Sequence, residues 1–181
     1  RDVAKSIRDG KDYKAVLGLT YRDADGKIKS NPDMPYIEDL DEIPFASRFI
    51  KEYLNYKDYF FGASYYPEIQ IFTGRGCMAH CNFCVYPQTL HGHKYRLRSP
   101  QNVVDEFQYI ADNFPDVKEI VIEDDTFTGN IQRVRDICQL LIDKGLSKRM
   151  TWLCNARVNL DYDTMVIMKK AGCRLIIPGI E

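Results

Sequence analysis

The sequence predicts an α/β protein built on a parallel sheet of four strands. From residue 68 onward, short β-branched apolar runs alternate with amphipathic helical stretches. Strands joined through helices lie parallel, with right-handed crossovers that lay the helices over the sheet. A length of 181 residues with 45% hydrophobic content is also enough for one proper core. Four strands are too few to close a barrel of eight, so the sheet is either an open arc or the first part of a longer one.

Taken in order, Arg1 to Gly10 reads as the end of a helix. Val16 to Arg22, the DADG turn at Asp23 to Gly26, and Lys27-Ile28 read as a small hairpin. From Asn31 to Pro44 three prolines and a cluster of acids predict an extended linker, followed to Tyr66 by an aromatic-rich segment without evident chemistry. The first sheet strand is Glu68 to Thr73, and a long loop then runs from Gly74 to Arg98. Ser99-Pro100 supplies an N-cap and first-turn proline to a helix whose apolar face carries Val103, Val104, Phe107, Ile110 and Ala111. Glu119 to Glu123 is the second strand, ending in Asp124 and Asp125. The helix after it bears Ile131, Val134, Ile137, Cys138 and Leu141 and stops at Gly145. Thr151 to Asn155 is the third strand. Asp161 caps a helix with Met165, Val166 and Met168, Gly172 ends it, and Arg174 to Ile177 is the fourth strand.

Composition narrows the function classes. Twenty-five basic against 26 acidic residues leave a net charge of -1, which provides neither an electrostatic footprint for nucleic acid nor a polybasic membrane anchor. No apolar run reaches the roughly 20 residues needed to span a bilayer, and no signal peptide opens the sequence, so a cytoplasmic protein acting on a small-molecule or lipid-like substrate is expected. Of the 6 cysteines, Cys77, Cys81 and Cys84 crowd one loop while Cys138, Cys154 and Cys173 sit singly in apolar patterns. That distribution suits a reducing compartment and a metal site better than disulfides.

The chemistry concentrates in GRGCMAHCNFC, a C-x3-C-x2-C pattern directly after the first strand. Thiolates select zinc or iron-sulfur clusters, and α/β folds place active sites at the C-terminal ends of parallel strands. Structural zinc wants four ligands, whereas a 4Fe-4S cube held by three cysteines keeps one iron open. A Cys3His zinc site completed by His80, His91 or His93 is the competing assignment, and with it a non-catalytic iron-sulfur or zinc-binding module.

C-x3-C-x-aromatic-C, with Phe83 before the last cysteine, resembles the signature of the radical S-adenosylmethionine superfamily. The resemblance implies that Cys77, Cys81 and Cys84 ligate a 4Fe-4S cluster whose open iron chelates the amino and carboxylate groups of S-adenosylmethionine. One-electron reduction, from a donor such as flavodoxin or ferredoxin, then yields a 5'-deoxyadenosyl radical that abstracts substrate hydrogen. It also implies a parallel (β/α) partial barrel, here truncated after the fourth strand, with Phe83 near the cluster or the adenine. DADGKI, PYIEDLDEIPF, TGRGC, YRLRSPQNVVDE and IEDDTF are similar to successive landmarks of the branch whose radical domain follows a cobalamin-binding domain. Residues 1–30 would then be a remnant of that domain, 31–66 a connecting segment and 67–181 the first part of the barrel, with cobalamin a candidate cofactor of the full-length protein. YPQTLHGHKYRLRSP and WLCNAR resemble the subgroup that builds the cyclitol ether of hopanoid lipids.

Further site residues follow from the strand ends. Asp124 and Asp125 stand where many members of the superfamily carry a Gly-Gly-Glu that binds the cofactor ammonium. They either take that role or complement a helix dipole. Arg157, after Asn155, is a candidate fork for the cofactor carboxylate or a plain surface arginine. Glu181 occupies a position whose family counterparts contact the methionyl or ribose portion. His91, His93, Lys94, Arg96 and Arg98 either neutralise a cofactor carboxylate or substrate phosphate or form a solvated face. Gly74 and Gly76 would let the loop backbone wrap closely. Cys138, Cys154 and Cys173 read as small buried hydrophobes.

Overall fold

The computed structural model describes residues 2–180, with Leu90 and His91 given by their backbone alone. Contacts divide the chain into two compact units, one reaching to Glu38 and one running from Asp39.

In the first unit, helix α1 (Asp2–Arg8) precedes an antiparallel hairpin of β1 (Thr20–Arg22) and β2 (Ile28–Ser30), with Thr20 opposite Ser30. The Asp23 carboxylate closes the DADG turn by accepting the N–H groups of Asp25 and Lys27. Gly26 turns at φ +79°, a conformation open to glycine without strain. The hairpin is shorter at its start than the run from Val16 suggests. The Asn31 amide holds the carbonyls of Lys14 and Val16, and Gly18 donates to Pro32, so these residues form a turn.

The second unit begins with helix α2 (Ala46–Tyr53) in the aromatic-rich segment. Its buried Ser47 donates through both N and Oγ to Glu106 of helix α3 (Pro100–Asn113), and Lys51 caps the Asn113 carbonyl. Strand β3 (Glu68–Ile71) leads to a two-residue antiparallel ladder of β4 (Gly74–Arg75) with β5 (Arg96–Leu97), and the cysteine loop hangs between the two. Then come α3, β6 (Glu119–Ile122), α4 (Ile131–Asp143), β7 (Thr151–Arg157), α5 (Tyr162–Lys170) and β8 (Cys173–Gly179). The sheet order is β3-β6-β7-β8, and every pairing is parallel. This is the α/β architecture expected of a partial barrel.

Local chemistry explains the boundaries. Ser99 caps α3 by accepting the Asn102 N–H, Asn130 caps α4 through Arg133, and Asp161 caps α5 through Thr164. Helix faces bearing Val103, Phe107, Ile110, Val134, Ile137 and Met168 cover Ile69, Ile71, Ile120, Ile122, Trp152 and Cys154 of the sheet. Cys138, Cys154 and Cys173 belong to this core.

Strand residues alternate between faces, so the opposite face carries Glu119. Its carboxylate is fully buried and accepts from Arg174 at 2.7 and 2.8 Å, from Thr151 Oγ1 at 2.8 Å and from the Tyr65 N–H at 2.8 Å. Burial works to raise its pKa, but Arg174, Tyr65 and Thr151 outweigh burial and hold Glu119 below the usual glutamate range. A carboxylate depressed in the folded state stabilises above its unfolded pKa of about 4.3, and that contribution disappears as pH falls through the folded value. The fall in Tm between neutral pH and about pH 3 is therefore expected to be shallower in Glu119→Gln than in the parent protein. Equal slopes would show that this pair does not set the acid limit.

Candidate active site

The cysteine loop leaves from the C-terminal end of β3, and its first turn is fastened from below. Asp124, just beyond β6, is 2% exposed. It accepts the Thr73 N–H at 2.6 Å, the Thr73 hydroxyl at 2.5 Å and the Gly74 N–H at 3.0 Å. The Thr73 carbonyl in turn receives Arg98 N at 3.0 Å and the Arg133 guanidinium at 2.8 Å. Thr73 therefore leaves the ladder and β3 stops at Ile71, two residues short of the strand the sequence suggests. Burial pushes the Asp124 carboxyl up, while the Thr73 and Gly74 donors and the Arg133 guanidinium favour its charged form.

At its neck the loop folds back on itself. Gly76 has φ +84°, and a Cβ there would collide with the Lys94 carbonyl. Cys77 N–H donates to the Gly92 carbonyl at 3.4 Å. A glycine is required here for both reasons. The return limb ends with Tyr95, whose hydroxyl donates to the Thr126 carbonyl at 2.8 Å.

Cys77, Cys81, Cys84 and Phe83 line a cleft of about 650 Å³ with Asp124, Asp125, Thr126, Asn155 and Arg157. The structure thus brings the ends of β6 and β7 and the cysteine loop to one rim. Asn155 spans two strand ends by donating to the Asp124 carbonyl, and Arg157 N–H donates to Thr128 Oγ1. Asp125 is half-buried on the cleft wall and Arg157 is exposed. The adjacent acids differ in exposure: Asp124 is buried and holds Thr73 and Gly74, whereas Asp125 is half-buried. Glu181 lies outside the described residues.

The three loop cysteines are free and partly exposed, whereas Cys138, Cys154 and Cys173 are free and buried. Burial pushes the Cys138 thiol up to about 12, and hydrogen bonding with Cys173 and burial push Cys154 well above the ordinary thiol range. Those two remain unreactive thiols at neutral pH. Among the described residues, no three His, Cys, Asp or Glu side chains stand close enough together to hold a metal ion. The loop thiols share a wall without converging on one point. His80 stacks on His93 with centroids 4.4 Å apart, both in exposed positions.

Of the basic run, Arg98 is neither a solvated face nor an anion site. It is buried, pairs with Glu106 at 2.5 Å and caps the Phe72 carbonyl at 2.8 Å. Three buried guanidiniums, Arg96, Arg98 and Arg133, and the half-buried Arg75 belong to this region. Asp124 counters Arg75 and Arg133, and the half-buried Arg75 packs over the Phe72 ring at 3.8 Å. Thr73 and Tyr95, which support the loop, and Thr126, on the cleft wall, are residues to which the sequence pattern assigns no role. For Thr126 the one signal is its place directly after the paired acids.

The donor types lining the cleft suit an iron-sulfur group and a zwitterionic ligand, and the thiols would have to move together to hold the cluster. Three soft sulfur donors come from one loop, an acid and a guanidinium stand on neighbouring strand ends, and the buried Thr126 hydroxyl on the cleft wall lacks a protein partner. Comparison with known proteins agrees. A family model for the radical SAM superfamily matches residues 71–181, and the chain belongs to that superfamily. It is 31% identical to an uncharacterized methyltransferase of Pyrococcus horikoshii, over 100% of this chain and 38% of the relative. It is 29% identical to the cytidylyl-2-hydroxyethylphosphonate methyltransferase of Streptomyces wedmorensis, over 92% of the chain and 35% of that protein. It is 30% identical to the anaerobic magnesium-protoporphyrin IX monomethyl ester cyclase of Cereibacter sphaeroides, over 93% and 27% respectively. The chain thus spans about a third of the length of the curated relatives it matches. This is the superfamily and the branch indicated by the sequence landmarks. Membership implies a 4Fe-4S cluster and S-adenosylmethionine. No helix among the described residues is long and apolar enough to cross a membrane.

Proposed function

We propose that this chain is the cluster- and cofactor-binding part of a radical S-adenosylmethionine enzyme that modifies an unreactive carbon of a small-molecule or lipid-like substrate. The observation that carries the proposal is the common cleft, where three accessible thiols face an acid and an arginine from other strand ends. Cys77, Cys81 and Cys84 would hold the cluster through their sulfur atoms. Asp125 accepts the cofactor ammonium, Arg157 pairs with its carboxylate, Phe83 covers the cluster or sits near the adenine, and Glu181, outside the described residues, contacts the methionyl or ribose portion. When bound, the cluster and S-adenosylmethionine supply a one-electron route to hydrogen abstraction. The chain's own residues orient the cofactor and exclude water.

Two of the relatives are named for methyl transfer and the third for a cyclisation. Cobalamin is accordingly proposed as methyl carrier or auxiliary cofactor, with residues 1–30 as the end of the domain that holds it. A flavodoxin- or ferredoxin-type protein is the proposed electron donor, and the cytoplasm the proposed compartment. The test is anaerobic reconstitution of the full-length protein, with iron and sulfide analysis, followed by reduction in the presence of S-adenosylmethionine. Cluster uptake with release of 5'-deoxyadenosine is expected. Uptake of zinc without sulfide, and no 5'-deoxyadenosine, would establish the non-catalytic module instead.

Arg157 provides a narrower check. Loss of a charged hydrogen bond in Arg157→Ala should weaken S-adenosylmethionine binding by about 1.5 to 3 kcal/mol, read as Kd by equilibrium dialysis. Unchanged affinity would remove Arg157 from the site and leave the cluster assignment intact.

A further inference from the structure

The proposed site leaves unassigned how the cysteine loop is held at the right distance from the acidic wall of the cleft. Its departing limb, Gly76-Cys77, is pressed against the return limb Gly92–Lys94. The two limbs must therefore move together. The next residue is Tyr95, and its ring lies over Gly129, the last residue of the turn that follows β6 (Phe127–Gly129). A Cβ on Gly129 would stand 2.8 Å from both Cζ and Oη of Tyr95, too close for either to remain. The Tyr95 hydroxyl meets the carbonyl of Thr126, the residue after Asp125. Burial raises the Tyr95 pKa, which keeps the hydroxyl a donor.

Resting on the assignment of the three cysteines as cluster ligands, we propose that Tyr95 is a positioning residue. By seating its ring on the bare backbone of Gly129, it fixes the cysteine loop against the Asp125-Thr126 wall and sets the spacing between cluster and ammonium partner. Tyr95 lies on neither the thiol set nor the lining of the cleft. Its influence passes through the loop neck, and the ring matters more than the single hydrogen bond.

The test uses the full-length protein reconstituted anaerobically, with four readouts: iron per chain, Tm, Kd for S-adenosylmethionine, and the change in the reduced cluster's electron paramagnetic resonance spectrum on adding it. Gly129→Ala, whose methyl displaces the ring, should retain parental iron content and Tm but bind S-adenosylmethionine about tenfold more weakly, with a smaller spectral change. Tyr95→Phe, which keeps the ring, should stay within about threefold of the parent. Tyr95→Leu should weaken binding like Gly129→Ala, and adding Gly129→Ala to it should weaken binding no further. Parental affinity and spectral change in Gly129→Ala overturn the proposal. So does loss of iron in step with loss of Tm, which would make Tyr95 structural only. Should Gly129→Ala fail to fold, Tyr95→Leu decides alone: parental affinity there overturns the proposal and weakened affinity with intact iron upholds it. Parental protein that takes up no iron would overturn the cluster assignment itself, and the proposal with it.

Discussion

Replacing Cys77 with alanine is expected to abolish iron binding by the anaerobically reconstituted full-length protein, whereas Cys138→Ala should bind as much iron as the parent. Cys77 lines the cleft and is partly exposed; Cys138 is buried in the core, its thiol pushed up to about 12 by burial. Only a thiolate reachable from the cleft can serve as a ligand. With three cysteines available there, removal of one leaves a cube with two protein thiolates. Cys138→Ala trades a small buried side chain for a slightly smaller one, so a loss of about 1 kcal/mol in stability is expected without loss of iron. Iron content is measured per folded chain, and equal iron loss in both variants with the fold preserved would refute the assignment.

Asp124→Ala is expected to be the most destabilising single substitution near the site, by about 3 to 5 kcal/mol, measured by denaturant unfolding. Its carboxylate serves three donors at the exit of β3 and is a principal counter-charge to the buried Arg133 and half-buried Arg75. Alanine leaves the Thr73 N–H, the Thr73 hydroxyl and the Gly74 N–H unpaired, with the guanidiniums less compensated. Asp125→Asn is expected to bind S-adenosylmethionine more weakly. Stability of Asp124→Ala within about 1 kcal/mol of the parent would show that the loop base is held by something else.

Much of the sheet was legible because its signals are local and repeated. Apolar runs such as EIVIE, the caps at Ser99 and Asp161, and Gly145 and Gly172 at the helix ends each report on a few neighbouring residues. The gathering of Cys77, Asp125 and Arg157 on one cleft also follows from parallel topology, which puts C-terminal strand ends on one side. What was not legible is long-range or very short. The β4–β5 ladder has two residues per strand, too few for any periodicity. Asp124 and Asp125 are chemically identical neighbours, and only the position of Thr73, 51 residues earlier, separates their tasks. Arg98 reads as part of a basic run, but Glu106, two helical turns onward, draws it inside. Strand β7 continues two residues past Asn155, and the register irregularity at Trp152-Leu153 has no marker in the sequence.

The Glu119–Arg174 pair joins parts of the chain that are synthesised far apart. Its partners are 55 positions apart, and the arginine arrives on the last strand of the sheet. During synthesis β3, β6 and β7 and their helices emerge first, yet Glu119 then lacks its main counter-charge and β7 presents an unpaired edge. Glu119 favours hydration until β8 is delivered, which disfavours premature compaction of that face. The seam at the N-terminal ends of the strands is therefore complete only once β8 is in place.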